Sequence, residues 1–443
     1  MPSGGKEYRM EWTMAPAAMA AAAEKVITGL IRSGHEAYWV GGCIRDELLG
    51  RPVHDMDITT SAHPDEVTAL FPRVIPTGIA HGTVTVLEDG QGFEVTTYRT
   101  ESGYADHRRP EQVSFVTDVT EDLRRRDFTI NAICCGPDGL LVDPFGGERD
   151  LELGRIRCVG DARERFEEDA LRMLRCLRFA AVLDFAIAKN TWRGLLRQRD
   201  LLAHIAAERV RAELERIVEG PHPVRGLGLL SRSGLLPRGK APFPWTGSTL
   251  AAAAAGVSGI GELQSAHLRW ALLLHALGTP AEEADGLLRA WTFPGATRSA
   301  VAGVLRVREA WTALLEVPPG EPGGTEALRR RWIAAVLRHG TEAAAGWLTV
   351  LAALPAAERD AAAPDAPPLR VAAQSWTAEM PLSTLAQLAV SGGELAQALQ
   401  RRPGPWVGAI LSGLLHAAAC GDIRNDNQSL LQEAKRMIEH EQL

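Results

Sequence analysis

Residues 41–57 (GGCIRDELLGRPVHDMD) constrain the fold of this chain more than any other segment. The apolar, β-prone run Ala37–Val40 comes directly before them and predicts a buried strand. Gly41 and Gly42 then allow the backbone to turn tightly into a helix that is predicted to begin near Cys43. Because free N–H groups at a helix start attract anions, the segment predicts a phosphate-binding turn between a strand and a helix.

Two aspartates follow this turn. Asp55 and Asp57 are two residues apart in HDMDITT, which predicts a second strand over residues 57–59, and the period of two in a strand places both carboxylates on one face. Such a pair attracts a cation, and Mg²⁺ suits it because Mg²⁺ takes oxygen ligands and is commonly shared with substrate phosphates. A solvated strand edge could carry the same pattern, but its combination with the glycine turn favours a centre for nucleotidyl transfer.

The order of strand, Gly-Gly, Arg45, Asp46 and D-x-D resembles the head of the polymerase-β-like nucleotidyltransferases. GGCIRDELLG with HDMDITT is similar to the class II tRNA nucleotidyltransferases, the CCA-adding enzymes of bacteria and eukaryotes, whose close kin are bacterial poly(A) polymerases. Further segments follow in that family's order, at residues 71–86 (FPRVIPTGIAHGTVTV), 93–99 (FEVTTYR), 124–132 (RRRDFTINA), 167–181 (EEDALRMLRCLRFAA), 206–217 (AAERVRAELERI) and 391–426.

The resemblance implies that the chain adds C, C and A to the 3′ end of tRNA from CTP and ATP, without a template and with Mg²⁺. The tRNA would be bound at its 3′ end and acceptor/T arm. An A-adding enzyme or a poly(A) polymerase would use the same chemistry. Two alternatives of a different class are a glycosyltransferase that holds a metal with D-x-D and a non-catalytic tRNA-binding protein.

Helix and strand signals alternate up to residue 156, and helical apolar stripes dominate afterwards. The predicted fold is therefore an α/β head with a polymerase-β-like nucleotidyltransferase sheet, followed by an all-α neck, body and tail. We place these parts at residues 1–156, 157–222, 223–320 and 321–443. Within the head, strands are predicted at residues 38–40, 57–59, 82–87, 92–98 and near 132–135.

Composition limits the surroundings of the protein. A net charge of −7 argues against a uniformly basic surface, so RNA would have to meet a local basic face. Six cysteines without a C-x-x-C pair predict reduced thiols, and no apolar stretch is long enough to span a membrane. We expect a cytoplasmic protein, monomeric or homodimeric, with no membrane partner.

By resemblance, Glu94 is a third catalytic carboxylate that helps to orient the primer hydroxyl. The alternative is an inward charge that pairs with Arg99 or Arg45. Gly41, Gly42 and Arg45 would cradle the triphosphate, because arginine pairs well with phosphate.

In RRRDFTINA, the resemblance implies that Asp127 contacts the ribose and that Arg126, with Asn131, helps to place the nucleotide. A basic turn before a buried strand would look the same.

The segment EEDALRMLR is, by resemblance, the one that selects the base. Asp169 and Arg172 are three apart and are predicted to share a helix face. A carboxylate accepts from the amino group of cytosine or adenine and a guanidinium donates to the adjacent ring acceptor, whereas uracil and guanine present the opposite order. The alternative is an ordinary salt bridge between the two. Arg175 and Arg209 belong to the same predicted nucleotide site.

Two further elements are predicted by resemblance. Residues 102–118, with Asp106, Arg108 and Arg109, are similar to the loop that the family uses when it changes from C to A, although a polar hairpin would fit as well. In the tail, turns with exposed backbone N–H groups are predicted to bind RNA phosphates, or else simply connect helices; they contain Gly393, Gly404 and Gly408.

Overall fold

The computed structural model describes residues 9–103, 112–240, 243, 245–316, 324–356 and 369–441. The chain divides into two compact units, Met1–Ser248 and Thr249–Leu443. The four-part division stays a prediction. Among the described residues, no helix combines the length and apolar character needed to cross a membrane.

A mixed seven-stranded sheet organises the first unit. Its strands are β1 (Ala37–Val40), β2 (Ile58–Thr60), β3 (Val74–Gly78), β4 (Thr83–Glu88), β5 (Gln91–Thr97), β8 (Cys134–Cys135) and β9 (Leu141–Val142). They lie in the order β3-β4-β5-β2-β1-β8-β9. Strands β2 and β5 are parallel, and the other neighbours are antiparallel. A separate hairpin pairs β6 (Arg99–Ser102) with β7 (Gln112–Phe115).

Among the described residues, five helices accompany this sheet, and the chain that follows them is mainly helical. The head helices are α1 (Ala17–Arg32), α2 (Gly42–Leu48), α3 (Pro64–Leu70), α4 (Val119–Arg124) and α5 (Gly147–Glu152). They are followed by α6 (Ala162–Glu168), α7 (Leu171–Val182), α8 (Lys189–Gln198), α9 (Ala207–Val218), α10 (Pro223–Ser233) and α11 (Gly247–Ala253). Short 3₁₀ turns in this unit occupy Ile79–His81, Thr129–Asn131, Arg199–His204 and Leu236–Arg238.

Hydrophobic periodicity explains these elements. In β5, Phe93 and Val95 are buried while Glu94 between them is exposed, as the period of a strand requires. In α1, Val26, Ile27 and Leu30 form a buried stripe at helical spacing. The predicted α/β head followed by helices is confirmed.

Two local predictions are wrong. The segment near residues 132–135 forms a strand only at Cys134–Cys135, because a 3₁₀ turn at Thr129–Asn131 comes before it. The predicted all-α neck also contains β11 (Ala186–Ile187), which pairs in parallel with β10 (Arg155–Ile156). Two-residue strands carry too little periodicity to be recognised in a sequence.

The described residues of the second unit form helices joined by turns and loops, without strands, and the core of this unit contains several tryptophans. Trp270, Trp291, Trp332 and Trp347 are fully buried. The Trp332 indole N–H donates to the Ala373 carbonyl at 3.0 Å, which gives its polar atom a partner inside the core. The helices are α12 (Ala266–Ala276), α13 (Ala281–Ala290), α14 (Gly295–Leu315), α15 (Gly324–His339), α16 (Thr341–Ala352), α17 (Leu369–Glu379), α18 (Gly392–Ala398), α19 (Pro405–Cys420) and α20 (Asn427–Glu441).

Candidate active site

A cavity of about 600 Å³ lies in the first unit, where the sheet meets helices α7 and α9. The structure brings together there most of the residues that the sequence predicted: Gly41, Gly42, Arg45, Asp55, Asp57, Arg126, Asp127, Asn131, Asp169, Arg172, Arg175 and Arg209. The lining also includes residues that the sequence analysis did not assign to the site: Arg125, Leu171, Arg178, Phe179, Ala212, Glu213 and Arg216. Eight arginines thus face five carboxylates, and this excess of positive charge suits an anionic ligand.

Asp55 and Asp57 lie just before β2 rather than inside it, so the predicted strand over residues 57–59 begins one residue too early. The Asp57 carbonyl still accepts a hydrogen bond from the Val40 N–H at 3.0 Å, which ties the segment to β1. Met56 between them is buried, so the alternation of side chains expected for an extended segment is kept. The sequence therefore located the pair correctly but placed the start of the strand one residue too early.

The electrostatics at Asp57 suit the binding of a cation. Burial raises the pKa of Asp57 to about 6, with further contributions from Asp55 and Glu94, while Arg126 acts in the opposite direction. Carboxylates that repel each other in this way are stabilised by a positive ion. Within the described residues, no three His, Cys, Asp or Glu side chains could hold a metal by themselves. A metal here would share its remaining ligands with substrate and water.

Glu94 lies on β5, directly beside the strand that follows the aspartates. Because Ile58 is in register with Val95 in a parallel pair, Glu94 is the neighbour of Asp57. The alternative pairing of Glu94 has no support, since Arg45 pairs with Asp46 at 2.8 Å and Arg99 pairs with Glu101 at 2.7 Å. Its catalytic role stays a prediction, and Glu94 is absent from the described lining of the cavity.

The glycine turn allows the backbone at Gly41 and the Arg126 side chain to lie close together. Gly41 has a φ of 80°, which favours glycine, and a Cβ at this position would lie 3.0 Å from Nη1 of Arg126. Arg45, in the helix that follows, donates to Asn131 Oδ1 at 2.5 Å. Its Nε and Nη2 donate to Asp46 at 3.1 and 2.8 Å, so both neighbours hold the guanidinium against the cavity.

Asp127 is buried at the base of the cavity and is 8% exposed. It accepts hydrogen bonds from Asn131 Nδ2 at 3.1 Å and from Arg175 Nε at 2.8 Å. Burial opposes ionisation of Asp127, but Arg175, Asn131 and Arg172 outweigh it and lower its pKa to about 2. Asp127 is therefore ionised at neutral pH and acts as an acceptor only. Its contact to Phe128 N–H, at 2.8 Å, fixes the turn that leads into the core.

Asp169 and Arg172 do not share a helix, which corrects the prediction. Asp169 ends α6 in an extended conformation and accepts from the Leu171 N–H at 3.0 Å, so it caps the start of α7. No ion pair joins Asp169 to Arg172 among the described residues, because Arg172 pairs with Glu168 at 2.6 Å. The alternative of a simple salt bridge between the two is thus wrong as well. Burial raises the pKa of Asp169, although Arg209 and Arg172 oppose the shift.

Phe179 forms part of the site that the sequence analysis missed. Three guanidinium groups lie over its ring, with distances to the ring centre of 4.0 Å for Arg178, 5.1 Å for Arg45 and 5.4 Å for Arg175. Arg178 also pairs with the buried Glu213 of α9 at 2.6 Å. Arginines at 172, 175 and 178 repeat every third residue of one helix, and this repeat was the available signal.

Two predicted elements remain, namely the loop at residues 102–118 and the glycine turns of the tail. Asp106, Arg108 and Arg109 fall outside the described residues. Of the predicted loop and its flanks, the structure describes the strands β6 and β7 that come before and after these three residues. In the second unit, Gly393 lies in α18, whose start is capped by Ser391 and Glu394.

Gly404 is the exposed N-cap of α19, and Gly408 lies in the first turn of that helix. The negative charge of Glu394 opposes a phosphate at the first turn, so the Gly404 turn is the better candidate. RNA binding by the three glycines stays a prediction.

The comparisons with known proteins agree with this geometry. The family model of the Poly A polymerase head domain matches residues 37–157. The model of an RNA and SrmB-binding site of polymerase A matches residues 184–238, and that of tRNA nucleotidyltransferase domain 2 matches residues 330–434.

Relatives cover nearly the whole chain. The CCA-adding enzyme of Geobacillus stearothermophilus is 38% identical over 91% of this chain and 94% of its own length. The CCA-adding enzyme of Lactiplantibacillus plantarum is 39% identical over 94% of this chain and 96% of its own length. The crystal structure of the Bacillus stearothermophilus CCA-adding enzyme in complex with CTP has a TM-score of 0.78 and 35% identity, covering 95% of this chain and 98% of that chain. The chain therefore belongs to the family of CCA-adding enzymes, tRNA nucleotidyltransferases that need a divalent metal.

Proposed function

We propose that this protein adds C, C and A to the 3′ end of tRNA, taking the nucleotides from CTP and ATP without a nucleic-acid template. The observation that carries this proposal is the cavity that joins the glycine turn, the aspartate pair and the Asp169–Arg172 region in one space. Its excess of arginines suits a nucleoside triphosphate. The similarity to a CCA-adding enzyme in complex with CTP supports the same substrate.

Mg²⁺ is the metal that suits this donor set, with Asp55 and Asp57 as its protein ligands. The raised pKa of Asp57, caused by burial and then by Asp55, supports the fit because it marks an uncompensated negative charge. When bound, Mg²⁺ supplies charge neutralisation at the α-phosphate. Glu94, next to Asp57 in register, would help to orient the attacking 3′-hydroxyl of the RNA.

The triphosphate and the ribose would be held by separate groups. Arg45 and Arg126 flank the glycine turn and would pair with the phosphate oxygens, since guanidinium groups bind phosphate bidentately. Asp127 would accept a hydrogen bond from a ribose hydroxyl. Its lowered pKa supports this role because the ionised carboxylate keeps its acceptor character at neutral pH. Asn131, which bonds both Arg45 and Asp127, would keep the two groups in a fixed relation.

Base selection would depend on Asp169 and Arg172. One Asp169 oxygen caps α7, which leaves the other to accept from the amino group of cytosine or adenine. Arg172 uses Nη1 and Nη2 in contacts with Glu168, Arg165 and Arg125. These contacts leave an Nε–H and one Nη2–H that bond to no group among the described residues. These two donors would be available to the base.

The tRNA would be bound at its 3′ end near the cavity and at its acceptor/T arm by the second unit. The match to tRNA nucleotidyltransferase domain 2 at residues 330–434 supports this assignment. We also infer a cytoplasmic protein, since all six cysteines are free and buried as expected in a reducing compartment. A monomer or a homodimer is compatible with this proposal.

The test uses tRNA ending at the discriminator base, at C, or at CC, incubated with CTP, ATP or both and analysed at single-nucleotide resolution. We expect two C additions followed by one A and then termination. Addition of A alone to tRNA ending in CC would indicate an A-adding enzyme. Long A tracts would indicate a poly(A) polymerase. Membership in this family argues against the glycosyltransferase and the non-catalytic alternatives.

A further inference from the structure

A buried carboxylate pairs with two arginines of the cavity without lining the cavity itself. Asp122 lies in α4, and its side chain is 0% exposed. It does not line the cavity, and it is not one of the predicted catalytic groups. A buried carboxylate is costly unless its oxygens are satisfied by donors, so its partners show what it holds in place.

The two oxygens of Asp122 face different elements. Oδ1 accepts from Arg125 Nε at 3.0 Å, from Arg125 Nη2 at 2.8 Å and from the Arg99 backbone N–H at 3.3 Å. Oδ2 accepts from Thr59 Oγ1 at 3.2 Å and from Arg126 Nη2 at 3.5 Å. Thr59 lies on β2, two residues after Asp57. Asp122 therefore links the strand that follows the aspartates to two arginines of the cavity.

Both arginines depend on this link. Arg125 has a second, longer contact with Glu101 at 3.4 Å, but its bidentate partner is Asp122. Arg126 packs against the Gly41 turn and has Asp122 as its acidic partner, while its buried Nε contacts no acceptor in the described part of the chain. The lowered pKa of Asp122 agrees with this, since Arg125 and Arg126 outweigh the opposing effect of burial.

We propose that Asp122 is a positioning residue that holds Arg125 and Arg126 at the glycine turn, so that the arginines are preorganised for the triphosphate. This inference rests on the proposed function. A carboxylate is needed because an amide would turn an N–H group towards at least one of the guanidinium donors. Misplacing binding groups by about 1 Å can cost roughly 100-fold in rate.

The experiment compares Asp122→Asn with a matched control, Asp150→Asn. Asp150 is also buried and accepts from a threonine hydroxyl and an arginine, namely Thr129 Oγ1 and Arg157 Nε, each at 2.7 Å. Neither Asp150 nor Arg157 lines the cavity. Both variants should lose stability, and thermal unfolding would measure this loss.

Only Asp122→Asn should raise KM for CTP and ATP together, by about 10- to 100-fold. It should weaken inhibition by inorganic triphosphate to a similar extent and leave the preference for CTP over UTP unchanged. Equal triphosphate inhibition in a folded Asp122→Asn enzyme and in the parent would overturn the inference. A parent enzyme that adds neither C nor A would instead refute the proposed function.

If Asp122→Asn does not fold, Arg125→Lys gives the second test. Lysine keeps the positive charge but cannot donate through two nitrogens to one carboxylate. We expect the same weakening of triphosphate inhibition, and an unchanged inhibition constant would also overturn the proposal.

Discussion

Base selection without a template can be tested at Asp169. Replacing it by asparagine keeps the size of the side chain and its capacity to cap α7, because asparagine is an equally good cap residue. The oxygen that would face the base can then be replaced by an N–H₂ group, which donates to the carbonyl of uracil and repels the amino group of cytosine. The expected change is therefore one of discrimination more than of stability.

The magnitude follows from the environment. Asp169 is half-buried beside Arg209, Arg172 and Arg175, so its contact with a base would be a hydrogen bond to a charged group in partly desolvated surroundings. Such bonds contribute about 1.5–3 kcal/mol, which corresponds to a loss of roughly 10- to 150-fold in the ratio of kcat/KM for CTP over UTP.

Single-turnover incorporation with each nucleotide would give this ratio. The control is Asp161→Asn at the other end of α6, which caps that helix through Arg163 and Glu164 N–H groups and does not line the cavity. An unchanged CTP/UTP ratio in a folded Asp169→Asn enzyme would refute the assignment.

Three further predictions concern the turn, the ribose contact and the tail. Gly41→Ala should raise KM for CTP and ATP alike. Gly50 also has a positive φ but has open space around it, so Gly50→Ala should lower stability through backbone strain without raising KM; steady-state kinetics of the two variants would show this difference. The folded pKa of Asp127 is lowered from 3.8 to about 2, so ionised Asp127 stabilises the fold above about pH 4, and this contribution of about 2 kcal/mol is lost as the pH falls towards 2. Urea unfolding of Asp127→Asn should therefore depend less on pH in this window, and an unaltered dependence would contradict the shift. Arg401 and Arg402 are exposed and come just before the Gly404 turn. Replacing both by glutamine should lower the slope of log tRNA affinity against log salt by between about one and two, and an unchanged slope would remove the Gly404 turn from the RNA interface.

Local patterns were enough to predict much of the head. The strand before Gly41, the glycine turn and the alternating strands β4 and β5 follow from residues that are adjacent in sequence. The four aspartates and five of the eight arginines that line the cavity were predicted from motifs, whereas Arg125, Arg178 and Arg216 were not assigned to the site.

Other features depend on contacts that a sequence does not show. EEDALRMLR has continuous helical propensity, so the sequence does not reveal the break at Asp169, where the side chain caps the next helix. The pairing of Arg178 with Glu213 joins residues 35 positions apart. The role of Asp122 depends on β2, β6 and α4 meeting at one buried point, which only the tertiary structure reveals.

The most direct test of the central claim, that the aspartate pair is the reaction centre, is the rate of C and A incorporation by Asp57→Asn, measured together with tRNA affinity. The substitution keeps the shape of the side chain and removes the charge that would hold Mg²⁺. We predict that incorporation of both nucleotides falls by at least roughly 100-fold while tRNA affinity stays close to that of the parent, because charge stabilisation at the phosphate is lost. Activity within about tenfold of the parent, a change of only ~1.4 kcal/mol in the barrier, would contradict the account.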